Sequence, residues 1–259
     1  MDKNDEQTPG WLLDLAIIAK RIYAGPLRHN ILSIEEERFS QQRYVHGSLN
    51  RGFCRVLWNE SSIVVAFRGT RERNDWEITN LKFFPERLRD CDDCGQVSVH
   101  RGFQQALNYI DRTSGLNGLS AITSILSPLL EERQLFITGH SLGGALATLF
   151  AVKLRAKIGE VASAKTNIVS FGAPPVGGGS FSDYYGALSD RTIRVVNRGD
   201  PVPFLHPPGF QHIGRLLQVG VRSAEEEAAR GLNLSTLFPF SISDHSMESY
   251  IVTLKKLLN

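Results

Sequence analysis

Apolar positions along this chain switch between a helical and a strand period. Trp11, Leu12, Leu15, Ile18, Ala19 and Ile22 recur at helical spacing. Thr8-Pro9 stands ahead of them as cap and first-turn proline, and Gly25-Pro26 follows as a stop, so a packing helix is predicted. Two β-branched and aromatic runs, residues 53–58 and 62–67, predict strands joined by a hairpin turn at Asn59-Glu60-Ser61. Helices are predicted over 102–111 and 121–131, a short strand over 135–138, and a long Ala- and Leu-rich helix over 141–157. Strands at 166–171 and 192–196 follow, with a helix at 181–188 between them. A last strand is expected at 216–221 and a terminal helix at 245–258. Strands alternating with helices predict an α/β protein with a mostly parallel central sheet and helices on both faces. The site of such a sheet lies at the carboxyl ends of its strands.

No repeat, low-complexity tract or long linker interrupts the 259 residues, which read as a single domain, 1–259. A composition of 42% hydrophobic and 22% charged residues excludes a disordered or fibrous chain. Lys and Arg total 29 against 27 Asp and Glu, a net charge of +2, so no nucleic-acid partner is expected. No apolar run reaches the roughly 18 residues of a transmembrane helix. The first ten residues, MDKNDEQTPG, lack an apolar core behind a basic start. The expected location is therefore cytoplasmic, or outside the cell by a leaderless route, unless a signal has been removed. Of the three cysteines, Cys91 and Cys94 have redox or metal-ligand spacing, but a zinc site would want a second pair that Cys54 does not supply. A local disulfide or two idle thiols is the expectation.

Gly139-His140-Ser141-Leu142-Gly143 follows a predicted strand and opens a predicted helix. That context is what a nucleophile elbow requires. A serine held in so sharp a turn brings the chain close to its neighbours two residues away on each side, where only small side chains fit. A hydroxyl needs a base, usually histidine, and the histidine needs an acid to orient it. In this kind of fold the order is Ser, then Asp or Glu, then His. His206, His212 and His245 lie late enough. His245 stands in a turn before the last helix and is favoured, with His212 as the alternative. For the acid, Asp200 follows the strand at 192–196 and precedes Pro201. Asp244 adjoins His245 too closely to orient it, and Asp183 and Asp190 flank a surface helix. His140, beside the nucleophile, and His100 read as structural residues.

Six segments together resemble the class 3 lipases: Phe67-Arg68-Gly69-Thr70, His100-Arg101-Gly102-Phe103, residues 139–147, Phe171-Gly172-Ala173-Pro174, residues 197–203 and Asp244-His245-Ser246. They keep the family order and span residues 67–246. The resemblance implies an α/β-hydrolase fold, with Ser141, Asp200 and His245 as the triad. It also implies an oxyanion hole made by the N–H of Leu142 and by Thr70. The matching stretch in these lipases is a short mobile helix over the site, which gives residues 71–85 a lid role here. Trp76, Leu81, Phe83 and Phe84 would cover the acyl groove when shut. A half-buried amphipathic segment that never moves is the alternative. Leu237 and Phe238 lie in an apolar stretch, 232–240, ahead of His245. They either wall the acyl pocket, dip into lipid or pack on the core.

The expectation is a serine carboxylic ester hydrolase that cleaves acylglycerols without cofactor or metal. Its partners would be a lipid or ester substrate and, transiently, a lipid–water interface; no oligomeric state is implied. Phospholipase A1 and esterase activity, including the feruloyl type, are alternatives on the same triad. A catalytically silent lipid-binding protein is the alternative from a different class.

Overall fold

The computed structural model of the chain describes residues 10–25, 39–46, 52–69, 84–91, 94–111, 114–220 and 242–258. In chain order the strands are β1 (Gln41–His46), β2 (Gly52–Trp58), β3 (Ser62–Phe67), β4 (Pro85–Arg87), β5 (Ser98–His100), β6 (Gln134–His140), β7 (Thr166–Phe171), β8 (Gly177–Gly178), β9 (Thr192–Asn197), β10 (Phe210–Gln211) and β11 (Arg215–Val219). The α-helices are α1 (Trp11–Arg21), α2 (Arg101–Leu107), α3 (Gly118–Leu126), α4 (Leu142–Ser163), α5 (Gly179–Tyr185) and α6 (Met247–Leu258).

The main sheet has the order β1-β2-β3-β6-β7-β9-β11. β3, β6, β7, β9 and β11 run parallel, and β2 and β1 continue the β3 edge as antiparallel strands. A smaller antiparallel sheet, β10-β8-β5-β4, lies beyond the end of β7, where the N–H of His100 donates to the carbonyl of Val176 at 2.8 Å. The mostly parallel sheet covered on both faces is thus present as the alternation of elements predicts.

The strand period sorts the core. On β3, Ile63, Val65 and Phe67 join the core formed with α2, α3, α4 and α5, while Val64 and Ala66 join the core formed with α1 and α6. The first core holds Phe103, Leu119, Leu149 and Phe150, and the second holds Leu12, Leu15, Ile18, Tyr250 and Leu254. Each fully buried Leu, Ile or Phe contributes about 1.5–3 kcal/mol. The same alternation along β6 points Gly139 at α4 and His140 at the α1 and α6 side, where it meets Tyr23 and His245.

Several boundaries differ from the sequence pattern, each for a local reason. The helix expected at 121–131 starts earlier, at Gly118, because the Asn117 side chain caps it by accepting the Ser120 N–H at 2.8 Å. The helix expected at 102–111 stops at Leu107, because Asp111 ties a turn instead, accepting from the N–H and hydroxyl of Ser114. α4 runs past the expected 157, with Gly159 in the left-handed region at φ 78° breaking it near its end. Only the second half of the helix expected at 181–188 departs from α geometry, tightening into a 3₁₀ turn over Gly186–Arg191. β1 and the small sheet gave no clear strand pattern, since β1 is polar and exposed for half its length and β8 and β10 have two residues each. Cys91 and Cys94 form a disulfide, and Cys54 is a buried thiol. Among the described residues no helix is long and apolar enough to cross a membrane. Thr8, Pro9 and Pro26 lie outside the described residues.

Candidate active site

β6 ends at His140, and the chain turns directly into α4 at Leu142. Between them Ser141 takes φ 59°, a left-handed conformation rare outside glycine. The turn is held by the Ser141 N–H donating to the Phe171 carbonyl at 2.9 Å, and by the Gly144 N–H donating back to the Ser141 carbonyl at 2.9 Å. Two backbones pass here with no room for side chains. A Cβ on Gly143 would overlap the carbonyl of Phe67, and one on Gly139 would overlap Gly143. Leu142 is half-buried as the first residue of α4. First-turn N–H groups have no partner within their own helix, and the helix dipole favours negative charge beside them.

Asp200 lies just past the end of β9 and is fully buried. Its Oδ1 accepts the Val202 N–H at 2.9 Å, and its Oδ2 accepts the Tyr250 hydroxyl at 2.5 Å. The Nδ1 of His245 stands 2.8 Å from Oδ2 and 2.9 Å from Oδ1. His245 closes a 3₁₀ turn (Ile242–His245) immediately before α6 and is 6% exposed. Gly172, at φ 56°, underlies this cluster: a Cβ there would meet the Tyr250 hydroxyl at 2.8 Å and His245 Nδ1 at 3.1 Å. The glycine of Phe171-Gly172-Ala173-Pro174 is therefore required both by its conformation and by the carboxylate, phenol and imidazole packed on it.

A further shell fixes the cluster. Tyr250, on the buried face of α6, accepts the Asn197 N–H at 3.1 Å while donating to Asp200. Burial and the Asp200 charge hold its phenol well above the ordinary range, so it remains a donor. The Asn197 amide donates to the Asp244 carbonyl at 3.0 Å and to the Ser249 hydroxyl at 2.7 Å, tying β9 to the turn that carries His245. Sequence reasoning missed Asn197 and Tyr250. Met247, Tyr250 and Leu254 share one buried helical stripe, and a polar-tipped aromatic inside such a stripe was the available signal.

Asp200 and His245 meet past the end of β9, and Ser141 stands just past the end of β6, tied by its N–H to the last residue of β7. The ring of His140, next in the chain to Ser141, stands 4.4 Å from that of His245. The alternative base, His212, points elsewhere: its Nε2 is 2.7 Å from the Pro203 carbonyl, and burial next to Arg194 lowers its pKa to about 4. His206 is exposed, as are Asp183 and Asp190. His100 caps α2, its Nδ1 accepting the Phe103 N–H at 3.3 Å, and its ring stacks on Phe103. Phe84 is exposed just ahead of β4, and Pro85, the last residue of the expected lid, begins that strand. Thr70, Trp76, Leu81, Phe83, Leu237 and Phe238 lie outside the described residues.

The class 3 lipase profile matches residues 64–210, more than half of the chain. A curated rice relative, phospholipase A1-II 2 of Oryza sativa subsp. indica, is 33% identical over 182 residues, covering 62% of this chain and 45% of the relative. A lipase of Rhizomucor miehei is 29% identical over 196 residues, covering 72% and 52% respectively. The chain spans about half the length of these curated relatives. The solved triacylglyceride lipase of Rhizomucor miehei superposes with a TM-score of 0.65 over 91% of each chain, at 20% identity. At that identity the likeness shows a shared fold, the α/β-hydrolase fold. By the reach of the family profile together with that fold, the chain belongs to the class 3 lipases.

Proposed function

We propose that the chain is a serine carboxylic ester hydrolase acting on fatty acyl esters of glycerol, with Ser141 as nucleophile, His245 as base and Asp200 as its orienting acid. The observation that carries this reading is the buried Asp200–His245 hydrogen bond adjoining a serine held at positive φ on a strand-to-helix turn. The Asp200 carboxylate accepts the hydrogen bond of the His245 Nδ1–H and keeps the proton on that nitrogen, which leaves Nε2 with the lone pair for the proton of Ser141. The serine oxygen attacks the ester carbonyl and a tetrahedral oxyanion forms. The Leu142 N–H at the start of α4 and Thr70 after β3 receive that charge, each donor typically worth about 10²–10³ in rate. His245 then protonates the leaving alcohol. Water, deprotonated by His245, attacks the acyl-enzyme and releases the fatty acid and free Ser141. The sequence of steps needs only these side chains and water.

In this reading residues 71–85 form a lid, with Trp76, Leu81, Phe83 and Phe84 over the acyl groove. Leu237 and Phe238 add apolar surface near His245, and the enzyme meets a lipid–water interface when the lid opens. Phospholipase A1 chemistry is the second reading, favoured by the identity to the rice relative of that name. It uses the same residues and differs in the ester cleaved. A release assay on p-nitrophenyl esters from acetate to palmitate, with triolein and phosphatidylcholine alongside and Ser141→Ala as blank, tests the proposal. Ser141-dependent release that rises once substrate forms an interface supports a lidded lipase. Release from phosphatidylcholine alone shifts the substrate to phospholipid. No Ser141-dependent release from folded protein overturns the enzyme reading.

A further inference from the structure

His140 is buried, and both of its ring nitrogens are engaged outside the side chains of Ser141 and Asp200. Nε2 lies 2.6 Å from the backbone carbonyl of His245, and Nδ1 lies 2.9 Å from the hydroxyl of Tyr23, in the 3₁₀ turn that follows α1. The Gly69 backbone, past the end of β3, lies directly against the Tyr23 hydroxyl. Gly69 is packed so tightly here that a Cβ would overlap the Tyr23 hydroxyl and approach the His140 carbonyl at 2.6 Å.

The direction of every hydrogen in this chain follows from its ends. A carbonyl only accepts, so Nε2 of His140 carries the proton. Burial, reinforced by His245 beside it, holds His140 neutral, so Nδ1 has a lone pair and accepts. Tyr23 therefore donates to Nδ1, and burial keeps its phenol protonated for that purpose. The run is Tyr23 to His140 to the His245 carbonyl, and reversing the first bond would leave the Nε2 lone pair of neutral His140 facing a carbonyl oxygen.

We propose that Tyr23 and His140 form a one-directional hydrogen-bond relay that positions His245 for acyl transfer. The proposal rests on His245 being the base. The relay links two turns that are far apart in sequence, the one following α1 and the one entering α6. It fixes the backbone of His245, while Asp200 fixes its ring. It also keeps His140 neutral against the His245 ring, so that no second positive charge opposes the imidazolium formed during the reaction. Tyr23 and His140 are positioning residues and need not touch the substrate.

The test compares Tyr23→Phe, His140→Gln, His140→Phe and the Tyr23→Phe/His140→Phe double variant, assayed on p-nitrophenyl butyrate with Ser141→Ala as blank. Tyr23→Phe should lower kcat about 3–10-fold, the range of one hydrogen bond, with KM within about twofold. His140→Gln offers one donor and one acceptor and should keep more kcat than His140→Phe. The double variant should be no slower than His140→Phe alone, because the relay is already broken. Imidazole ¹⁵N shifts should show a single Nε2–H tautomer for His140 in the wild type and a mixture in Tyr23→Phe. Unchanged kcat in Tyr23→Phe, equal kcat in the two His140 variants, or multiplicative losses in the double variant would overturn the relay. Wild-type protein without Ser141-dependent turnover would instead overturn the enzyme reading, so the two failures are distinguishable.

Discussion

Replacing Asp200 by asparagine isolates the role assigned to its charge, because the surroundings dictate how the amide must sit. The Val202 N–H points at Oδ1 from 2.9 Å, so the asparagine oxygen has to stay there. Its NH₂ group then occupies the Oδ2 position, facing the Tyr250 hydroxyl at 2.5 Å and His245 Nδ1 at 2.8 Å, both of which donate in the native site. Two charge-assisted hydrogen bonds are lost, at about 1.5–3 kcal/mol each, or about 3–6 kcal/mol together. The clash of donors favours moving the His245 proton from Nδ1 to Nε2, because the oxygen left at the Oδ1 position, 2.9 Å from Nδ1, is already taken by the Val202 N–H, and that tautomer cannot accept the Ser141 proton. The same exchange in a serine-protease triad costs about 10⁴ in kcat, equivalent to about 5 kcal/mol, within the range worked from the bonds. Steady-state hydrolysis of p-nitrophenyl butyrate at saturating substrate reads the loss, with circular dichroism to show that the variant folds. A folded Asp200→Asn protein with kcat within about tenfold of wild type would refute the reasoning.

Three further expectations follow from other parts of the structure. Gly143→Ala places a Cβ against the Phe67 carbonyl and should cost about 1–3 kcal/mol of stability along with most ester turnover, read by a thermal melt and the same assay. Burial lowers the pKa of His100 from 6.5 to about 4, below its unfolded value, so the unfolded chain takes the proton first. Stability from this group is complete above about pH 6.5 and is lost as pH falls toward 4, by about 3 kcal/mol. His100→Asn, which retains a capping side chain, should flatten the difference between urea midpoints at pH 7 and pH 4.5. The Cys91–Cys94 bridge closes a short loop, so the double Cys→Ser variant should lose about 2 kcal/mol in urea unfolding under oxidising conditions and match the wild type under reducing ones.

Much of the fold was legible because its strands are apolar on both faces and its helices carry clear stripes. β3, β6, β7 and β9 fall at or near the predicted runs, since a strand buried on both sides must be apolar throughout. β1 was not legible, since an edge strand with exposed Gln41, Gln42 and Arg43 carries little apolar signal. The serine turn was legible because the glycines around Ser141 are demanded by backbone contact, which leaves a local mark in the sequence. The hydrogen-bonded shell was not. Asn197 meets Ser249, and Tyr23 meets His140, across 52 and 117 residues, and no local spacing encodes such meetings. His140 reads as structural in the sequence, and its partners appear only when the turn after α1 and the turn before α6 pack on the same face of the sheet.

The central claim, that Ser141 is a nucleophile activated by His245, is tested most directly by covalent labelling. An activated serine oxygen attacks the phosphorus of a fluorophosphonate and displaces fluoride, its proton passing to the histidine, and peptide mass spectrometry locates the adduct. The account predicts one adduct per chain, on the peptide containing Gly139 to Gly143, absent from Ser141→Ala and formed about 10³-fold or more slowly in His245→Gln. An adduct at another residue, no adduct on folded protein, or equal labelling rates in wild type and His245→Gln would contradict it.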